Sequence, residues 1–152
     1  MEFGIHLPHV GPFATPEAIN GVARKAEELG YHSLWVSDHI ITPRKIDSPY
    51  PGGRYRVQPD WPFLEPVSTL LFAAAVNKRV RLGTSVLVIT QRQPVILAKQ
   101  LATLDFLSNG RLIFGAGAGW IWADANLWGF SIYAPNQLDA DFLDLDLDGN
   151  AD

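Results

Sequence analysis

From its second residue the chain alternates apolar and polar positions in "EFGIHLP", a strand pattern that Pro8 and the Gly11-Pro12 pair bring to an end. Thr15, Pro16 and Glu17 then make a helix start: a hydroxyl to accept an amide proton, a ring suited to the first turn, and a carboxylate near the positive end of the dipole. Ile19, Val22, Ala23, Ala26 and Leu29 recur at helical spacing and predict one buried stripe, with Gly30 as a left-handed stop. "HSLWVSD" predicts a second strand, with Asp38 and His39 at and just past its C-terminal end.

Between His39 and Leu64 the periodicity disappears, and Pro43, Pro49, Pro51, Pro59 and Pro62 punctuate the chain. A connection of that length inside a compact domain is usually a lid or a binding loop. "EPVSTLLFAAAVN" predicts a second helix over 65–77, and the β-branched "RVRLGTSVLVIT" a third strand over 79–90. Pro94 opens a third helix with Leu97, Ala98, Leu101, Ala102 and Leu104 toward the core, and Asn109-Gly110 closes it. "RLIFGAGAGW" is then a fourth strand. Strand and helix alternate throughout, which calls for an α/β fold of parallel strands with helical crossovers. Polar residues at the C-terminal strand ends therefore gather on one rim.

Composition narrows the function. The chain has 152 residues, 47% apolar and 18% charged, enough for one globular core. A net charge of −4 gives no broad positive field, so neither nucleic acid nor an anionic membrane is an expected partner. With no cysteine there is no disulfide frame, thiolate nucleophile or cysteine-ligated metal, in keeping with a reducing cytoplasm. "MEFGIHLPHV" lacks the basic and apolar regions of an export signal, and no stretch is long enough to span a bilayer. The expected location is cytoplasmic and no metal is expected.

The glycine run "GAGAG" has three readings. A dinucleotide fingerprint needs G-x-G-x-x-G ahead of a helix, whereas Gly115, Gly117 and Gly119 are spaced G-x-G-x-G and follow the fourth strand. Small residues also let a strand end pass close to a neighbour, or let a ligand approach the backbone. His39 is the leading catalytic candidate, an imidazole beyond the second strand that can donate to substrate or hold a proton, with Asp38 adjacent in sequence. Asp38 and His6, inside the first strand, are candidate substrate-side groups. Each also has a plain structural reading as a satisfied polar residue.

"AEELGYHSLWVSDHI", "RLGTSVLVITQRQPVILAKQLATLDFLSNGRLIFGAGAGW" and "FGIHLPHVGPFA" together resemble the bacterial luciferase-like superfamily, most closely its coenzyme F420-dependent oxidoreductase branch, over residues 1–120. The resemblance implies a (β/α)8 TIM barrel with a flavin or deazaflavin over the C-terminal face. It further implies a non-prolyl cis peptide at the Ser85-Val86 step, backing the ring, and a Thr90 hydroxyl near ring or tail. Gly115, Gly117 and Gly119 would let the backbone approach the cofactor, and Trp120 would stack on a ring or cap the barrel. Residues 40–64, with Arg44, Tyr50, Arg54, Tyr55 and Trp61, would form the lid. F420 implies hydride transfer to or from a small organic substrate; FMN, the alternative, implies monooxygenation.

Four βα units make half of such a barrel, which usually takes about 250 residues. Three expectations follow: a homodimer that completes the sheet, a tail that covers one edge, or a segment of a longer product. The family's phosphate contacts come from the second half, so a non-catalytic half-barrel or interaction module is the alternative function. Residues 121–152 form a divergent acidic tail in which Asp124 loosely echoes the family's acidic helix. Asp144, Asp146, Asp148 and Gly149 resemble the start of a calcium loop, for which a solvated acidic tail is the simpler account.

Overall fold

A computed structural model of the chain describes residues 1–42 and 55–119. Trp120, the middle of the expected lid (43–54) and the acidic tail with Asp124, Asp144, Asp146 and Asp148 lie outside the described residues.

The alternation read from the sequence is the alternation of the fold. β1 (Gly4–His6), α1 (Pro16–Glu28), β2 (Ser33–Val36), α2 (Pro66–Ala74) and β3 (Arg81–Thr84) follow in order. β4 (Leu87–Val88), a 3-10 turn (Ile89–Gln91), α3 (Pro94–Ser108), β5 (Leu112–Ile113) and β6 (Ala116–Gly117) complete the described chain. β1, β2, β3 and β5 pair in that order, all parallel, and β4 pairs with β6 in parallel. Strands adjacent in space are thus successive in sequence, the winding of an α/β barrel and of an arc cut from one. Among the described residues, no helix is long and apolar enough to cross a membrane.

Local chemistry fixes the ends. The Thr15 hydroxyl accepts the Ala18 amide at 3.2 Å, and Gly30 follows α1 at φ +79°. Asn109 and Gly110 close α3, both left-handed. One face of the sheet carries Leu34, Val36 and Leu82, which meet Ile19 and Ala23 of α1, Leu70 of α2 and Leu104 of α3 in one core. The opposite face carries Trp35, whose indole donates to the Ser33 hydroxyl at 2.8 Å and lies where a side chain at Gly4 or Gly83 would collide with it.

Five sequence expectations change. The third strand stops at Thr84, breaks at Ser85-Val86 and resumes only as β4, while the fourth is split into β5 and β6. The second helix ends at Ala74 rather than 77. Leu29 is exposed, because it is the C-cap beyond the last packed turn. Ala98 and Ala102 are exposed too: the buried stripe of α3 runs through Leu97, Leu101, Leu104 and Ser108, and the two alanines stand about 100° round from it. Val95, Ile96, Phe106 and Leu107 of α3 and Phe114 after β5 are also exposed.

The N-terminal strand ends are closed by polar groups that use up their bonding capacity. One Glu27 carboxylate oxygen accepts the amides of Lys78, Arg79 and Val80 at 2.8, 2.7 and 3.3 Å. The buried Arg111 guanidinium donates to the carbonyls of Ser108 at 2.6 Å and Val80 at 2.8 Å and to the Asn77 side chain.

Candidate active site

The C-terminal strand ends surround a cleft of about 600 Å³ lined by His9, Ser37, Asp38, His39, Tyr55, Phe63, Ser85, Val86 and residues 117–119, among others. Its geometry begins with β1, which runs on past His6 until Val10 forms an antiparallel bridge with Phe63. Two backbone bonds tie the returning end of the long loop to this extension, Gly11 N to Pro62 O at 3.0 Å and Leu64 N to His9 O at 3.0 Å.

The bridge brings Phe63 between two imidazoles. His9 meets it edge-on at 5.6 Å and His39 at 5.5 Å, while Tyr55 packs on His39 at 5.5 Å. The Ser37 amide donates to His9 Nε2 at 3.0 Å, so the proton sits on Nδ1, which donates to the Leu7 carbonyl at 2.9 Å. The Ser37 hydroxyl lies 3.0 Å from the same Nε2. Burial pushes the His9 pKa below its ordinary value, so the ring is neutral at pH 7. The pKa of His6 is also lowered by burial, and its Nε2 stands 3.2 Å from the Ser85 hydroxyl.

The Ser85-Val86 peptide is cis, at the step the family resemblance implied. The Val86 side chain is 44% exposed and lies against Gly117. A Cβ at Gly117 would strike Val86, and one at Gly115 would strike the Thr84 carbonyl. Two of the glycines therefore serve close approach between neighbouring strands, where the sequence left ligand approach and tight packing open. Gly119 takes φ +88°, a region that favours glycine.

The remaining sequence candidates fall as follows. Thr90 lies in the 3-10 turn and its hydroxyl donates to the Ala118 carbonyl at 2.9 Å. Asp38 lines the cleft, yet its carboxylate is turned inward: Arg92 Nη2 donates to both oxygens at 2.8 and 2.9 Å, and the Val88 amide to one at 2.9 Å. Asp38, His39, Ser85, Val86, Gly117 and Gly119 share the cleft, while His6 and Thr90 touch it through Ser85 and Ala118. Sequence reading missed His9, Ser37, Phe63 and Arg92. His9 carried one usable signal, an imidazole next to a proline at the strand exit. No group of three metal-ligating side chains occurs among the described residues.

Comparisons with known proteins bear on this arrangement. The family model described as luciferase-like monooxygenase matches residues 1–145. An uncharacterized protein of Mycobacterium tuberculosis is 37% identical over 123 residues, 79% of this chain and 43% of its own length. The F420-dependent glucose-6-phosphate dehydrogenase of Amycolatopsis mediterranei is 38% identical over 105 residues, 68% of this chain and 28% of that enzyme. The crystal structure of monooxygenase RslO1 from Streptomyces bottropensis matches with a TM-score of 0.64 at 29% identity, over 87% of this chain and 37% of its own. The chain thus spans less than half the length of these relatives.

Proposed function

Since this chain belongs to the luciferase-like monooxygenase family, we propose that it supplies the ring-binding half of an oxidoreductase that takes coenzyme F420, with FMN as the alternative, and acts on a small organic substrate. The observation that carries this reading is convergence: an outward Val86, the backbone of residues 117–119 and His39 all border one cleft of about 600 Å³. That volume is in the range of cofactor sites, and Val86 with the side-chain-free backbone of Gly117 and Gly119 lines it. The ring, when bound, supplies the hydride chemistry, and FMN would add oxygen activation.

The chain's own residues place and protect. Val86 and residues 117–119 hold the ring, Phe63 and Tyr55 exclude water from one side, and His39 exchanges a proton with the substrate. Ser85 offers a hydroxyl beside the ring, oriented by His6. The rest of the barrel comes from a second copy or from further sequence, a reading supported by exposed Phe106, Leu107 and Phe114 on the last described elements.

Fluorescence titration with F420 and with FMN tests the reading. Saturable binding of F420, and weaker binding of FMN, is expected. Absence of saturable binding for both rings overturns it. Light scattering reads the oligomer: a dimer is expected, and a monomer that still binds F420 removes the second copy while leaving ring binding intact.

A further inference from the structure

One cation ties three walls of the cleft together. Arg92 Nη2 grips the Asp38 carboxylate at 2.8 and 2.9 Å, and Nη1 donates to Glu65 Oε1 at 3.0 Å. The Arg92 and Asp38 side chains are 10% and 1% exposed, so the pair sits out of solvent, while Glu65 is 37% exposed at the outer end. Asp38 also accepts the Val88 amide at 2.9 Å, and the second Glu65 oxygen caps α2 through the Ser68 amide at 2.7 Å.

The positions of these acceptors matter more than their number. Asp38 immediately precedes His39, Val88 lies two residues after Val86, and Glu65 lies two residues after Phe63. Each bond made by the network therefore holds a residue within two positions of a wall: the imidazole, the apolar plate and the aromatic ring against which the imidazole packs. A planar guanidinium can serve two carboxylates in fixed directions at once, which an ammonium cannot.

We propose that Arg92 is a positioning residue of this cleft, which sets the His39–Phe63 wall at its distance from the Ser85-Val86 floor through Asp38 and Glu65. It touches neither ring nor substrate. The proposal rests on the functional reading above only for its second readout, ring affinity; its first is made on the ligand-free protein.

The first readout is the imidazole resonances of His39 by NMR, shifted in the wild type by the flanking rings of Tyr55 and Phe63. The second is the dissociation constant for F420, and thermal denaturation is the third. In Arg92→Lys the His39 resonances are expected to move toward those of an imidazole without neighbouring rings, and F420 binding to weaken about tenfold, the scale on which outer partners of a site act. Glu65→Gln keeps the helix cap and is expected to move both readouts the same way by less. Glu27→Gln, at the opposite end of the sheet, is the stability control: it lowers the melting temperature and leaves both readouts unchanged. The proposal is overturned if Arg92→Lys lowers the melting temperature as Glu27→Gln does while His39 and F420 affinity stay as in the wild type. If Arg92→Lys does not fold, Glu65→Gln decides on the same criteria. If the wild type binds no F420, the functional reading falls and the His39 resonances alone decide the role of Arg92.

Discussion

The two ends of the sheet are built from the same kinds of group and use them differently. At the N-terminal end, Glu27 and Arg111 spend their hydrogen bonds on backbone amides and carbonyls of the α2–β3 and α3–β5 connections and on the Asn77 side chain. At the C-terminal end, Ser37, Ser85 and His39 border a cleft, while His9, bonded at both ring nitrogens, and the committed carboxylates Asp38 and Glu65 support it. A polar group satisfied by backbone stabilises the connection it closes; one that faces a cavity is available to a ligand. In this molecule the cleft-facing groups lie at the C-terminal strand ends, on a support of satisfied ones.

Substitutions can break that division. The largest effect is expected at His39: His39→Gln should cut turnover about 100- to 10,000-fold, the usual worth of a general acid or base, with little change in melting temperature. Arg111→Met should do the reverse, costing about 3–5 kcal/mol in denaturant unfolding because it strands buried partners, with F420 affinity of the folded protein unchanged. Gly117→Ala forces a Cβ against Val86 and should cost about 1–3 kcal/mol while weakening ring binding, so it alone registers in both assays.

The smallest effect, and the sharpest comparison, is in pH. Burial is the main cause that holds the His9 pKa below the ordinary 6.5, aided by His6 and opposed by the Leu7 and Ser37 hydrogen bonds and by Asp38. The unfolded chain therefore binds a proton first: the stability held by neutral His9 is complete above pH 6.5 and is lost as the pH falls through the lower folded-state value. For Glu27, burial pushes the pKa upward, but the amides of Arg79, Lys78 and Val80 and the Arg79 charge outweigh it and set it below the ordinary 4.5. Its contribution is present above pH 4.5 and is lost as the pH falls through the depressed folded value. Acid should thus loosen the cleft end before the opposite end. Urea unfolding across this range should show two declines, the upper flattened by His9→Gln and the lower by Glu27→Gln.

The fold was legible wherever a signal is local. Thr15, Gly30 and Asn109-Gly110 act within one turn of their own position, and each does in the structure what its residue type suggests. The break after Thr84 was legible only through the family resemblance, which implied a cis step at Ser85-Val86, and the one after Ile113 was hidden, because an apolar run reads alike whether its pairing is continuous or interrupted. In the cleft, proximity to a strand end was legible and the direction of a side chain was not. Asp38 is the clearest case: its partner, Arg92, lies 54 positions away, and only the folded chain shows the carboxylate facing inward. His9 likewise depends on Ser37, 28 positions on.

The bridge between Val10 and Phe63 fixes where the long connection returns to the sheet. Its anchoring bonds run from backbone to backbone, so they do not depend on which side chains the intervening residues carry. Doubling the length of a flexible loop costs only about 0.6 kcal/mol in closure entropy. The bridge therefore keeps Phe63 seated on the β1 extension, beside His9 and His39, whatever side chains the preceding stretch carries.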